Sequence, residues 1–324
     1  MSETPDSSQG VRDRSLAQAP SFSRRLTVAV CTRNRPDLIA TVVTTLLASV
    51  HPDFEVLVVD QSPGRETEVA LGPRLQDPRL RYHRDPGQGL GRARNVALRL
   101  SHAEVVAMTD DDCEAPPEWL SSMERLFLCD PSVAVAYCSV LAGPHDPAAG
   151  FVPAYSCDGE RRVTRLRDYL SPHGIGAGMA VRRTAVSGFG GFDECLGAGG
   201  RFLSYEDADI ALRALLFGHA VHETGATSVL HHGFRTWQQG RALGYRDWVG
   251  VGAGHAKLWR CRAPGMARVA AHELRLFVLG PALAGLVRGR PQGITRGRGY
   301  VRGFLAGLRA PIDRRTACFR AEAP

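Results

Sequence analysis

Lysine is all but missing from this chain. Of 40 basic residues, only Lys257 is not arginine. With abundant alanine, glycine and proline beside it, that bias reflects GC-rich codon usage and says nothing of function. Paired cysteine spacing is also missing. Cys31, Cys113, Cys129, Cys138, Cys157, Cys195, Cys261 and Cys318 include no C-x-x-C, which excludes a zinc ribbon. Several lie in apolar runs, where a thiol serves as a small core residue, and a reducing cytoplasm is expected. Residues 1–25 are polar and lack the apolar core of a signal peptide, so a disordered tail is expected there. A spanning helix needs about 20 apolar residues. The apolar stretch from Leu274 to Val287 is shorter and contains Pro281. No internal repeat is present. Acids thin out toward the end: from Arg260 onward only Glu273, Asp313 and Glu322 occur.

What is present is ordinary for a globular protein: 324 residues, 44% hydrophobic, 7% aromatic, with a formal charge of +7. That length suits one large α/β domain with an appendage. Leu26–Thr32 and Phe54–Asp60 are short apolar runs rich in β-branched residues, each ending in polar residues, and read as buried strands. Arg79–Arg84, Glu104–Met108 and Val133–Leu141 continue the series. Helical spacing falls between the strands, from Pro36 to about Val50, Leu90 to Leu100 and Pro116 to Leu128. Strand–helix alternation of this length implies a mostly parallel, doubly wound sheet. Gly178–Arg182 and Val221–His231 read as extended, Glu206–Phe217 as a helix stopped by Gly218, and Arg235–Trp259 as helical in part.

In such sheets ligands bind beyond the carboxyl ends of the strands. Thr32, Asp60 and Asp110 all stand at strand ends, so three polar clusters should converge on one crevice. Asp110-Asp111-Asp112 puts adjacent carboxylates together, a repulsion that a hard divalent cation such as Mg²⁺ or Mn²⁺ relieves; a solvated, helix-capping turn is the plainer alternative. Glu206, Asp207 and Asp209 open a helix, where the dipole favours acids, and one of them could serve as a general base. His231-His232 offers an imidazole ligand or simply a strand-end histidine.

Taken in order, TRNRP, VVD, GRARN, TDDDC, GAGMAVRR, GGFDE, YEDADIALR and a late histidine resemble the family 2 glycosyltransferases of GT-A fold, over about residues 26–235. The resemblance implies an inverting transfer from a nucleoside diphosphate sugar to an acceptor hydroxyl of a saccharide or lipid-linked saccharide. It implies that Thr32, Arg33, Asn34, Arg35, Asp60, Arg94, Asp110 and Asp111 hold the donor nucleotide, and that Gly176, Ala177, Gly178 and Glu206 flank donor sugar and acceptor. Asp207 would be the catalytic base. Asp112 and His231, with Asp110 as a further candidate, would ligate Mn²⁺ or Mg²⁺. Gln88-Gly89 stands where members often carry Asn-x-Gly. The Q-x-x-R-W element of processive members is absent, which favours single addition.

Rival classes fit less well. A nucleotidyltransferase would carry a glycine-rich loop after the first strand, and a dehydrogenase G-x-G-x-x-G there; TRNRP stands instead. A non-catalytic nucleotide-sugar-binding relative would not need Asp207 and Asp112. The tail has few aromatics for stacking bases, so nucleic acid is not an expected partner. Residues 236–324 form a basic, mostly helical region, with helices expected near Gly265–Leu286 and Gly299–Leu308. It either packs on the catalytic domain or meets an anionic membrane at the inner face of the plasma membrane.

Overall fold

The computed structural model describes residues 25–170, 173–287 and 293–320. The tail expected over residues 1–25 falls, except for Arg25, outside them. So do Arg288 and Arg290.

Strand β1 (Leu26–Thr32) pairs in parallel with β2 (Phe54–Asp60) and with β4 (Val105–Asp110), and β2 pairs in parallel with β3 (Leu80–Arg84). β2 is buried along its whole length, as expected of a strand covered on both faces. The register sets Thr32 beside Asp60 and Cys31 beside Asp110, so three strands end level. Helix α1 (Pro36–Leu47) opens on proline and buries Ile39, Val42, Val43 and Leu46, one stripe at helical spacing. It covers one face with α2 (Glu66–Leu71) and α4 (Trp119–Cys129). The opposite face is covered by α3 (Leu90–Leu100) and α6 (Glu206–Leu216). The sheet is therefore doubly wound.

Beyond β4 the sheet is mixed. The remaining strands are β5 (Cys113–Glu114), β6 (Val133–Ala142), β8 (Glu160–Val163), β9 (Met179–Arg182) and β10 (Ala220–His231); the short β7 (Gly150–Phe151) and β11 (Arg235–Thr236) form a separate ribbon. The order is β3-β2-β1-β4-β9-β6-β10-β5, with β8 also on β10. β9 runs against both β4 and β6, and β10 runs with β6. Six of the nine strands thus point one way, while half of the eight pairings are antiparallel. "Mostly parallel" describes direction better than pairing.

A short α5 (Arg183–Gly188) follows β9. The basic region folds as α7 (Trp237–Arg260), α8 (Met266–Leu274), a π-helical turn at Arg275–Leu279, α9 (Gly280–Val287), α10 (Ile294–Arg309) and a ribbon of β12 (Ile312–Asp313) with β13 (Cys318–Phe319). A capping box, Thr236 with Gln239, starts α7. α10 lies on α7 with its backbone against its neighbour's. A Cβ on Gly299, Gly303 or Gly307 would come within 2.4, 2.0 or 2.8 Å of the carbonyls of Tyr245, Val249 and Ala253. α7 in turn joins the sheet domain through the chain's one lysine. Lys257 Nζ sits 2.6 Å from Asp193 and 2.7 Å from Asp209, all three side chains fully buried, and Asp209 also takes Arg213 at 2.8 Å. The basic region packs on the sheet domain.

Candidate active site

The three adjacent carboxylates are drawn apart by partners on different strands. Asp111 accepts hydrogen bonds from Thr32 Oγ1 at 2.7 Å and Arg35 Nη1 at 2.6 Å, at the end of β1. Asp112 takes the same guanidinium at 3.0 Å and turns its other oxygen to His231 Nε2, 3.2 Å away at the end of β10. Asp110 points toward Arg94, 3.7 Å away, and keeps its side chain 38% exposed. Asp111 is spent on holding the loop after β1, Asp112 is shared between Arg35 and His231, and Asp110 is the most exposed of the three.

Burial opposes ionisation of Asp112, but His231 and Arg35 outweigh it and hold the carboxyl down at about 2. Burial likewise lowers the basicity of His231, and Asp112 with the Pro153 carbonyl more than restores it, so the imidazole is shifted up. The donor set of this pair suits a divalent metal. His231 Nδ1–H donates to the Pro153 carbonyl at 2.8 Å, which turns Nε2 to Asp112: the charged ring donates there, and the neutral ring would offer its lone pair to a metal. Asp112 Oδ1 is buried, and His231 Nε2 stands 3.2 Å from it. Asp112, Cys113 and His231 offer ligand atoms within 4.8 Å of one another. Burial pushes the Cys113 thiol up, so it enters as a neutral neighbour. Gly233 keeps the space clear: a Cβ there would lie 2.5 Å from His231 Nε2 and 2.8 Å from Asp112 Oδ2.

Across the cleft, α6 begins from Tyr205, which adopts a left-handed φ of 79°. Asp207, in its first turn, accepts two backbone hydrogen bonds, from Gly176 at 2.9 Å and Ala208 at 2.8 Å. Its carboxylate is thus fixed by main chain rather than by a side-chain cation. Glu206 pairs with the buried Arg94 at 2.9 Å. Burial and the neighbouring Asp207 push the Glu206 carboxyl up, against the pull of Arg94. A Cβ at Gly176 would meet Arg94 Nη2 at 2.4 Å, so the guanidinium would have to shift away from Glu206.

Thr32, Arg33, Arg35, Arg94, the three aspartates, Gly176, Ala177, Glu206, Asp207 and His231 line one cleft of about 550 Å³. Three expected residues do not line it. Asp60 is fully buried and satisfied by the Ser62 N–H and the Tyr82 hydroxyl, both at 2.8 Å. Asn34, at a φ of 58°, uses its N–H to bond Ser62 Oγ. Gly178 packs against Cys138 and Val140 beneath the sheet end. The cleft also takes in Gln61, Gly89, Gly199, Pro153 and Arg235, which sequence reasoning missed. Gln61 stands one residue past a strand end, a position that could have flagged it. It accepts from Gly89 N–H at 3.0 Å and donates to Asp85 at 2.9 Å, anchoring the loop before α3.

The model of glycosyl transferase family 2 matches residues 27–189, just over half of the chain. The chain belongs to glycosyl transferase family 2. The matched segment holds the Asp110–Asp112 cluster and Gly176; Glu206, Asp207 and His231 lie beyond it and join the site through the fold. Among curated relatives, the O-antigen biosynthesis protein RfbC of Myxococcus xanthus is 28% identical over 64% of this chain and 17% of its own length. The pre-mycofactocin glycosyltransferase of Mycobacterium tuberculosis is 27% identical over 70% of this chain and 45% of its own. The chain thus spans less than half the length of either relative. Among solved structures, the family 2 chain superposes on a mannosyltransferase of Pyrobaculum calidifontis, in complex with GDP-mannose and Mn²⁺, with a TM-score of 0.58 at 20% identity over 91% of this chain and 90% of that one. The fold is GT-A, with helices added at the C-terminus.

Proposed function

We propose that this family 2 chain transfers a sugar from a nucleoside diphosphate sugar to an acceptor hydroxyl, with inversion, in one displacement. The observation that carries the reading is the cleft itself: a main-chain-held carboxylate, Asp207, shares it with the Asp112–His231 pair on the far side. The mannosyltransferase of like fold holds GDP-mannose and Mn²⁺, which supports a nucleotide-sugar donor and a divalent cation here.

Asp207 accepts the proton of the acceptor hydroxyl as its oxygen bonds to the anomeric carbon, and the bond from that carbon to the diphosphate breaks on the opposite face. Two N–H donors hold the carboxylate aimed before the acceptor arrives. Thr32, Arg33 and Arg35 hold the nucleotide at the end of β1, and Arg94 keeps Glu206 and Asp110 in place below the sugar. A Mn²⁺ or Mg²⁺ held by Asp112 and His231 would offset the charge of the leaving diphosphate. The nucleotidyltransferase reading is set aside by the family assignment, and a binding-only relative would not need Asp207 so ordered.

The acceptor is a saccharide or lipid-linked saccharide of a surface glycan, or a glycosylated metabolite, as the names of the two relatives suggest. No helix among the described residues is long and apolar enough to cross a membrane. α10 nevertheless suits an anionic membrane surface. Ile294, Val301, Leu305 and Leu308 are exposed opposite its glycine face, Arg298, Arg302 and Arg309 flank them, and the helix has no acid. Salt-sensitive sedimentation with phosphatidylglycerol vesicles, lost in a Val301→Asp, Leu305→Asp variant, is the expected result. The reaction itself is tested by Asp207→Asn, which should retain donor binding and lose about 10²- to 10⁴-fold of turnover. NMR of the product should show the anomeric configuration opposite to the donor's; retention would rule out the single displacement.

A further inference from the structure

The carboxylate of Asp207 is aimed by two segments of main chain that are far apart in sequence. One is the loop ending at Gly176, whose N–H meets Asp207 Oδ2 at 2.9 Å. The other is the start of α6, where Ala208 N–H meets Oδ1 and Tyr205 sits in the left-handed region just before the first turn. A non-glycine residue in that region is strained and persists only where its surroundings hold it. Something must hold each segment in place.

Both segments lead to one buried side chain in the basic region. Three residues ahead of Gly176, His173 Nε2 lies 3.2 Å from Glu273 Oε1. From the other side, the Tyr205 hydroxyl meets His255 Nε2 at 2.8 Å, and that ring lies 3.4 Å from Glu273 Oε2. His255 Nδ1 is also within 3.3 Å of the Tyr300 hydroxyl on α10. His173 stacks on Tyr169 with ring centroids 4.0 Å apart. Glu273 stands at the end of α8 and is only 4% exposed. Burial disfavours its charge, yet the two histidines outweigh burial and hold its carboxyl well below the usual range. It is an anion with one imidazole on each oxygen.

We propose that Glu273 is a positioning residue for transfer: its carboxylate ties the Gly176 loop to the α6 start, so that both donors to Asp207 keep their register. The proposal rests on Asp207 being the base. It gives the C-terminal region a part in catalysis, because α7 supplies His255 and α8 supplies Glu273. None of these groups lines the cleft, so their effect reaches the chemistry only through main-chain placement.

The test uses the full chain as wild type, Glu273→Gln, Tyr205→Phe and Asp207→Asn. Steady-state turnover of a donor, donor affinity, melting temperature and amide hydrogen exchange over 174–178 and 205–208 are measured for each. Misplacing a reacting group by about 1 Å can cost about 10²-fold. Glu273→Gln should therefore lower kcat by about 10- to 100-fold with KM for the donor within about twofold, and should speed exchange in both segments. Tyr205→Phe should give a smaller loss of kcat, with faster exchange confined to 205–208. Unchanged kcat, unchanged exchange, or loss of donor affinity in step with kcat overturns the proposal. If Glu273→Gln fails to fold, Tyr205→Phe decides by the same criteria. The two failures separate cleanly. Asp207→Asn inactive with Glu273→Gln fully active sinks the positioning role alone. Asp207→Asn active sinks the base assignment and the proposal with it.

Discussion

At the scale of single residues, the site divides its acids by what each one bonds. Asp111 accepts from Thr32 and Arg35, and Asp60 from Ser62 and Tyr82, so the orientation of both is set by protein donors. Asp112 and His231 instead face each other, carboxylate oxygen to ring nitrogen, at 3.2 Å. Even groups that only orient a metal ligand are worth about 10- to 100-fold in affinity. His231→Ala should weaken Mn²⁺ binding by at least about tenfold, read by titration calorimetry, while Asp111→Asn should disturb it less. Equal weakening by both would mean that the metal reading has the wrong acids. At this scale much was legible. Asp110–Asp112 and Asp207 stand out as carboxylates at a strand end and a helix start. Gly233 and Gln61 were not legible, since their importance comes from what approaches them: His231 Nε2 in one case, the Gly89 N–H in the other.

At the scale of elements, burial on both faces made β1, β2 and α3 readable to the residue: Leu26–Thr32, Phe54–Asp60 and Leu90–Leu100 are as expected. β9 was legible as an extended segment from Gly178 but its direction was not, and β5, two residues long, has no room to show a period, so the antiparallel pairings that make the sheet mixed were not visible. α10 begins at Ile294 rather than Gly299, because its glycines are there for contact and not as breakers. That contact is testable. Gly303→Val would drive a Cβ into the Val249 carbonyl, and overpacking of this kind costs about 1–3 kcal/mol. Thermal melting should show the loss, whereas Gly297→Ala, which meets only the tip of Val278, should be close to neutral. A second test concerns α8. The depressed Glu273 carboxyl contributes stability that is present above its ordinary value of 4.5 and is lost as pH falls through its lower folded value. The gap in melting temperature between wild type and Glu273→Gln should be widest at neutral pH and narrow as pH falls below about 4. A constant gap would mean that the carboxylate charge is not what matters.

At the scale of the molecule, a buried ionic network decides how the basic region is joined. Lys257 on α7 lies between Asp193 and Asp209, and Asp193 also accepts the Phe319 N–H of β13 at 2.8 Å. Removing one partner of such a network leaves uncompensated buried charge and costs about 3–5 kcal/mol. Lys257→Met should therefore lower the melting temperature far more than replacement of any exposed arginine on α10, and should loosen α7 and β13 together in hydrogen exchange. A surface-sized effect would show that the tail is held by its apolar contacts instead. The sequence could not disclose this joint, because Lys257 and Asp193 are 64 residues apart and the region announces itself by arginines, not by its single lysine.

The proposed reaction requires one cleft to bind a nucleotide sugar, hold a metal at Asp112 and His231, and break the anomeric bond. The most direct measurement is release of nucleoside diphosphate from a panel of nucleotide sugars, with Mn²⁺ or with chelator, by wild type and Asp112→Ala. Glycosyl transfer to water suffices, so no acceptor need be known. Release from one donor, with Mn²⁺ only and absent in Asp112→Ala, is the predicted result. No binding of any nucleotide sugar in the presence of metal, or release that is indifferent to both chelator and Asp112→Ala, would contradict it.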